Sequence, residues 1–343
     1  MEGYTDQVQG RVMVNGYGDG VAWRRGPKLG EGSFGSVYLA TLKDPRRSIH
    51  STSLPLAMAV KSAEVSHSST LQNEGEILSY VNGCPNIIHC FGAEMTIGPD
   101  NTTVYNLLLE YATGGTLADL IKKTGYVGLP EYEVRCFTRS ILKGLCYIHD
   151  LGFVHRDLKP ENILLFSKST KCRTEFTAKI CDLGLAKRGK KGKKRRLEPY
   201  FRGTPMYLSP EAVRDGVQES ASDIWSLGCV VLEMLTGKPA WDLEDEGTDD
   251  KNVLRKIGKG TAVPKIPKDI SQDAKSFIKC CLKRMVKNRL DAKILLFHPF
   301  VNGLNDDDGV DQEDDGNDMD DCSSSSSGEN SVSSWSEDHS DVD

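Results

Sequence analysis

The apolar residues of this chain recur at two different periods, and the change between them at Gly114–Gly115 limits the fold more than any other feature. Ahead of it, RRGPKLGEGSFGSVYLATL alternates around a Gly-rich turn, which predicts two antiparallel strands. After the polar segment 43–55, LAMAVKSAEV reads as a third strand, and IIHCFGAEM and VYNLLLEY as two more. Leu71, Glu74, Leu78 and Val81 predict a helix over 70–82. Beyond Gly115, Val134, Phe137, Ile141, Leu142, Leu145 and Ile148 mark one face of a helix over 131–149. HRDLKPENILLF and AKICDLGLAK are short loop–strand segments beneath it. SDIWSLGCVVLEMLTG is apolar almost all round, which predicts a buried helix, and 271–284 and 291–297 read as closing helices. The pattern is α+β and bilobal: a small β-rich lobe with one main helix, then a larger helical lobe.

This places the small lobe at 23–112 and the helical lobe at 113–301, with a polar, Gly-rich leader at 1–22 expected to be flexible. All 43 Lys and Arg precede residue 303, whereas 15 of the 49 Asp and Glu fall in 303–343. The globule is therefore basic, and 302–343 is an acidic, Ser-rich tail expected to be disordered because it cannot bury enough surface to offset chain entropy. Ten scattered cysteines include no C-x-x-C pair, which fits a reducing compartment. No run approaches the roughly 20 apolar residues that span a bilayer, and MEGYTDQVQG lacks the features of a signal peptide. A cytoplasmic or nuclear protein with no membrane partner is expected.

Four clusters carry chemistry. Gly30-x-Gly32-x-x-Gly35, followed by Val37, lets backbone N–H groups approach phosphates without a Cβ in the way. The same spacing serves ordinary tight turns, and it precedes a strand rather than a helix, unlike a dinucleotide fold. Lys61 ends Met58-Ala59-Val60 and reads either as a snorkelling strand-edge residue or as a fixed cation for the α- and β-phosphates of a nucleotide. In the second reading a helix glutamate holds it: Glu74, since Ile77 and Leu78 one turn on face the core, with Glu76 as runner-up. In HRDLKPEN (155–162), Asp157 can accept or orient an acceptor hydroxyl's proton, Lys159 can neutralise a transferring phosphoryl group, and Asn162 offers an oxygen to Mg²⁺. A polar surface loop would explain those charges but not their order. Asp182, 20 positions after Asn162, supplies a metal-chelating carboxylate.

In this order GEGSFGSV, MAVK, HRDLKPEN, DLG and SPE resemble the signature of the eukaryotic protein kinases, over about residues 23–300. Lys159 and RGTPMYLSPEAV look like the serine/threonine branch, and WRRGPKLGEGSFGSVYLA with SDIWSLGCVVLEMLTGKPAW is similar to plant-type MAP kinase kinase kinases. The resemblance implies ATP and Mg²⁺ as cofactors, a MAP kinase kinase as substrate, and a role in stress or hormone signalling. It implies that Thr204 bonds Asp157 and Lys159, that Glu211 pairs with Arg289, and that Asp223 holds the backbone at His155–Arg156. It puts the adenine edge on the backbone N–H and C=O groups of Glu110-Tyr111-Ala112, with Leu109 as gatekeeper and Leu29, Val37, Ala59 and Leu164 as apolar contacts. A pseudokinase scaffold is the rival reading; the presence of Lys61, Glu74, Asp157, Asn162 and Asp182 argues against it.

The chain departs from the pattern at Leu183, where the family has phenylalanine, and from Leu183 to Gly203 it has no serine or threonine. The position four before Thr204 is Tyr200. Switching is therefore expected to use Glu198 or phosphorylated Tyr200 on Arg156, or modification of Thr204 itself. Cys181 is expected on the floor of the ATP pocket. The run 187–196, with eight basic residues in ten, reads as a solvated loop, a nuclear-import signal, or a dock for an acidic partner or the chain's own tail. It has no interleaved aromatics, which argues against nucleic acid. The acidic segment 242–250 reads as a solubilising loop or a substrate contact, and the tail serines resemble acid-directed phosphorylation sites.

Overall fold

A period of two along Met58–Ala63 sorts the small lobe into two faces. In the computed structural model, which describes residues 17–32, 35–44, 54–98, 101–169, 174–189, 202–241, 250–259 and 262–304, strands β1 (Trp23–Gly32), β2 (Gly35–Leu42), β3 (Ala57–Glu64), β4 (Cys90–Ile97) and β5 (Thr103–Leu109) form one antiparallel sheet in the order β1-β2-β3-β5-β4. Met58 and Val60 pack on one face with Trp23, Ala40, Leu42 and Leu108. Ala59 and Ala63 point to the other, with Leu107 and Leu109, against Leu71, Ile77, Leu78 and Val81 of α1 (Ser69–Val81). Lys61 shares the parity of Ala59 and is thereby carried to the α1 side, where it is buried.

The far face is closed by residues 17–22, so this part of the expected loose leader is packed; residues 1–16 lie outside the described residues. Glu94 accepts from the Val21 N–H (2.6 Å) and Trp23 Nε1 (2.8 Å). Arg25 donates to Ser62 Oγ (2.8 Å), Asn106 Oδ1 (2.7 Å) and the Gly18 carbonyl, and its guanidinium lies 4.8–5.5 Å from the rings of Tyr17, Trp23 and Tyr38. A buried cation survives here because every face of it meets an acceptor or an aromatic ring.

The helical lobe follows α2 (Leu117–Lys123), a short helix opened by a capping box in which Thr116 and Asp119 satisfy each other's backbone N–H. The six apolar residues expected on α3 (Glu131–Asp150) are all buried, each contributing about 1.5–3 kcal/mol. Beneath α3 lie the hairpin β7 (Ile163–Ser169)–β8 (Thr174–Ile180) and a two-residue pair, β6 (Phe153–Val154) with β9 (Lys187–Arg188). Past α4 (Pro210–Asp215), α5 (Ser220–Thr236) is buried along nearly its whole length and ends at Gly237, whose φ of 70° is left-handed. Helices α6 (Asp250–Gly258), α7 (Gln272–Cys281) and α8 (Ala292–Leu295) complete the lobe, the last two shorter than the periodicity predicts. No helix among the described residues is long and apolar enough to cross a membrane.

Candidate active site

Lys61 joins the two lobes. Its ammonium donates to Glu74 Oε2 at 2.7 Å and to Asp182 Oδ1 at 2.9 Å, so Glu74, not the runner-up Glu76, is its helix partner. Burial works against this charge, but the two carboxylates more than offset it and hold the Lys61 pKa above its ordinary value. Burial likewise opposes ionisation of Asp182, yet Lys61 keeps its pKa below the usual aspartate value. The Glu74 carboxylate also accepts from the Leu183 backbone, while Asn73 Nδ2 donates to the Gly184 carbonyl at 2.9 Å. Leu183 is fully buried in the same core as Leu78, as its apolar character predicts. Asp182 itself is left-handed (φ 57°), a conformation that turns the chain sharply after Cys181.

Asp157 stands at the centre of a second network. The Thr204 hydroxyl and backbone N–H both donate to Asp157 Oδ1 at 2.9 Å, Lys159 Nζ donates to Thr204 Oγ1 at 2.8 Å, and Lys159 lies 3.1 Å from Asp157 Oδ2. Asn162 Nδ2 donates to the Asp157 carbonyl (2.8 Å) and to Oδ2 (3.2 Å). Two links bind this loop to the Asp182 segment: the Cys181 N–H donates to the Asn162 carbonyl at 3.0 Å, and His155 Nε2 lies 3.0 Å from the Cys181 carbonyl. The two aspartates therefore belong to one constellation.

With its amide N–H groups engaged on Asp157, Asn162 presents only its Oδ1, and Asp182 presents the carboxylate oxygen that Lys61 leaves open. One amide oxygen and one carboxylate oxygen form a hard donor set that suits Mg²⁺. Among the described residues no cluster of three or more His, Cys, Asp or Glu could hold a metal by itself, so nucleotide oxygens and water would complete the shell.

The nucleotide side is built from the sheet. Gly35 has φ 137°, and a Cβ there would lie 2.4 Å from the Ser62 carbonyl, so the turn admits only glycine. A Cβ on Gly30 would meet nothing within 4 Å, which leaves open space beside that backbone; Gly32 is exposed, and Ser33 and Phe34 are outside the described residues. Ala59 belongs to the main core, and Val37 and Leu164 pack against it, whereas Leu29 is 46% exposed and stands outside it. Leu109, opposite Ala59 on β5, is buried.

The expected adenine edge offers both an acceptor and a donor from the backbone. The Glu110 N–H is already bonded to the His89 carbonyl at 2.9 Å, leaving Glu110 its carbonyl alone, whereas the Ala112 N–H has no partner among the described residues. The Glu110 side chain is drawn away by Lys179, at 2.7 and 2.8 Å. Cys181, half-buried beside Asp182, has its thiol pushed above the ordinary cysteine value by burial and by that carboxylate.

Supporting contacts hold these groups. Asp223 accepts from the backbone N–H of His155 and of Arg156, both at 2.9 Å, and from His149 Nε2 at 2.8 Å. Glu211 and Arg289 form a two-bond pair at 2.7 and 3.0 Å. Arg156, left-handed at φ 72°, donates to Gln218, which also bonds the backbone of Arg202. His149, Gln218, Lys179 and Asn73 were not singled out by sequence, where only a polar side chain on an otherwise apolar helix face marks His149. Tyr200, Glu198 and most of the basic run lie outside the described residues, as do 242–249 and the tail beyond Leu304. The first residues of that run are not a free loop: Lys187 and Arg188 pair with Val154 and Phe153, and Arg188 lies 5.6 Å from the Phe153 ring.

The family model described as "Protein kinase domain" matches residues 23–301. Mitogen-activated protein kinase kinase kinase 20 of Arabidopsis thaliana is 41% identical over 282 residues, which is 81% of this chain and 78% of the relative. Kinases 17 and 18 of the same series and organism are 39% and 38% identical, over 81% of this chain and 69% and 77% of their own lengths.

Proposed function

Because the chain belongs to the protein kinase family, as a serine/threonine kinase of the MAP kinase kinase kinase type, we propose that it phosphorylates MAP kinase kinases through Asp157, Lys159, Asn162, Lys61 and Asp182, with Mg²⁺ as the metal. The observation that carries the reading is the Lys61 ammonium set between Glu74 and Asp182 while Asn162 links Asp182's segment to Asp157. Bound ATP with its metal supplies the γ-phosphoryl group and the charge that offsets its negative oxygens.

Lys61 holds the α- and β-phosphates, and Glu74 fixes where its ammonium stands. Asp182 and Asn162 would hold the metal through oxygen. Asp157 orients the acceptor hydroxyl and takes its proton, and Lys159 neutralises the charge that grows between them. The Thr204 hydroxyl bridges Asp157 and Lys159, fixing both before a substrate arrives. Positioning and electrostatics supply most of the rate. The choice of MAP kinase kinases is supported by the names of the plant relatives and a cytoplasmic or nuclear site by the cysteine pattern, whereas a stress or hormone setting rests on the sequence resemblance alone.

The test is transfer of phosphate to a catalytically dead MAP kinase kinase, followed by mass spectrometry of the acceptor. Asp182→Asn and Asp157→Asn are expected to lower kcat by about a hundredfold or more while keeping the wild-type melting temperature. Unchanged transfer in either variant would refute the assigned roles.

A further inference from the structure

Two grooves meet beside α4, on the segment that follows the Thr204 loop. One, of about 400 Å³, is walled by Arg214, Arg284 and Lys287, with Met285 and Val286 between them. The other, of about 360 Å³, runs on past Arg214 and Val286 to Val217 and Ala221, and is lined by the acids Glu211, Asp215 and Glu219 as well. Met285 and Val286 are 56% and 39% exposed, an adjacent apolar pair at the surface of the helical lobe, where Tyr126–Val127 and Phe297 are exposed as well.

The wall is cationic beyond what its neighbours neutralise. Arg284 donates to the carbonyls of Ile257 and Ala262, which orient the guanidinium but do not cancel its charge. Its pKa is lowered, by burial first and then by Arg214 facing it. Lys287 is exposed and has no partner among the described residues. Of the nearby acids, Glu211 is held by Arg289, Asp215 takes up Arg214 in a two-bond pair at 2.6 and 2.9 Å, and exposed Glu219 lines the second groove, so the net positive charge lies in the first groove, on Arg284 and Lys287. An apolar floor under a positive wall selects its occupant by charge: a basic segment is repelled, and an acidic one with an aliphatic anchor is matched on both counts.

We propose that this groove docks an acidic, aliphatic-anchored segment of the protein substrate, apart from the residues around the phosphorylated hydroxyl. The proposal rests on the chain's being a protein kinase. Ser209, which ends the Thr204 segment, also caps α4 by accepting from the Ala212 N–H, so docking and acceptor loops are mechanically continuous.

The test titrates a fluorescein-labelled peptide of glutamates bearing two leucines into the full-length protein and follows its anisotropy. Saturable binding is expected that weakens with added salt. Arg214→Glu with Lys287→Glu, and separately Met285→Asp, should each weaken it about tenfold or more. The same variants should raise KM for the intact protein substrate and leave phosphorylation of a short acceptor peptide unchanged, which also shows that they fold. The proposal is overturned if no saturable binding occurs, if a lysine-for-glutamate peptide binds equally, or if both variants bind like the wild type. A dimer dissolved by the same substitutions would assign the groove to a second copy and equally overturn it. Failure of the wild type on the short peptide would instead count against the enzyme reading.

Discussion

Glu233, on α5, accepts a 2.7 Å hydrogen bond from the Tyr207 hydroxyl, one turn beyond Thr204. Burial pushes its pKa up to about 7, Tyr207 pulls the other way, and Glu161 adds to the rise. A carboxyl raised in the folded state binds more protons there than in the unfolded chain. Its stabilising contribution is therefore complete below the unfolded value of 4.5 and is lost as pH rises through about 7, a loss of about 3 kcal/mol. Denaturant titrations from pH 5 to 8 should show this slope in the wild type and its absence in Glu233→Gln. At the same scale, Arg289→Ala leaves Glu211 buried without its cation and should cost about 3–5 kcal/mol, read from the shift in urea midpoint. The catalytic side chains were legible because their chemistry requires particular residue types in a particular order. Their supports were not: Lys179 on Glu110, or Gln218 on Arg156, are single polar residues whose partners lie 69 and 62 positions away, and no period or spacing announces such pairs.

Helix α1 is fastened at two points to the turn after Asp182, by the Glu74 carboxylate on the Leu183 backbone and by Asn73 on the Gly184 carbonyl. The second fastening bears on where Glu74 stands but does not itself face the nucleotide. Asn73→Ala is therefore expected to reduce kcat several-fold with little change in melting temperature, and adding Mg²⁺-ATP should not rescue it; steady-state kinetics at saturating ATP would decide. Long elements declared themselves in the sequence. α1, α3 and α5 each have enough turns for a 3.6-residue period or an unbroken apolar run to stand out. Short ones did not. α2 has 7 residues, β6 and β9 have two each, and α6 buries only Val253 and Ile257. The packing of residues 17–22 was not legible for another reason: its backbone groups are held by Arg25, Lys43 and Glu94 from elsewhere in the small lobe, and a Gly-rich polar stretch reads as loose whether or not a partner awaits it.

The nucleotide site draws on both lobes, so ligand binding should act on the molecule as a unit. At a Mg²⁺-ATP concentration of about 100 times Kd, stability should rise by about 2.7 kcal/mol, seen as an upward shift in Tm, and a chelator or Asp182→Asn should abolish most of it. The existence of the strands and the bilobal α+β class followed from where periodicity changes, whereas the sheet order β1-β2-β3-β5-β4 and the tilt of each side chain toward its partner depended on packing that only three dimensions supply. Helix α5 buries 12 of its 17 residues, more than any other helix among the described residues. From one buried rod, Asp223 grips the catalytic loop, Ser226 bonds the Tyr207 carbonyl at 2.8 Å, Glu233 takes the Tyr207 hydroxyl, and Trp225 lies under Arg289. Warming such a protein leaves no stage at which the substrate loop has slipped but the chemistry survives. Catalysis and architecture should disappear within the same few degrees, because both are moored to a single post.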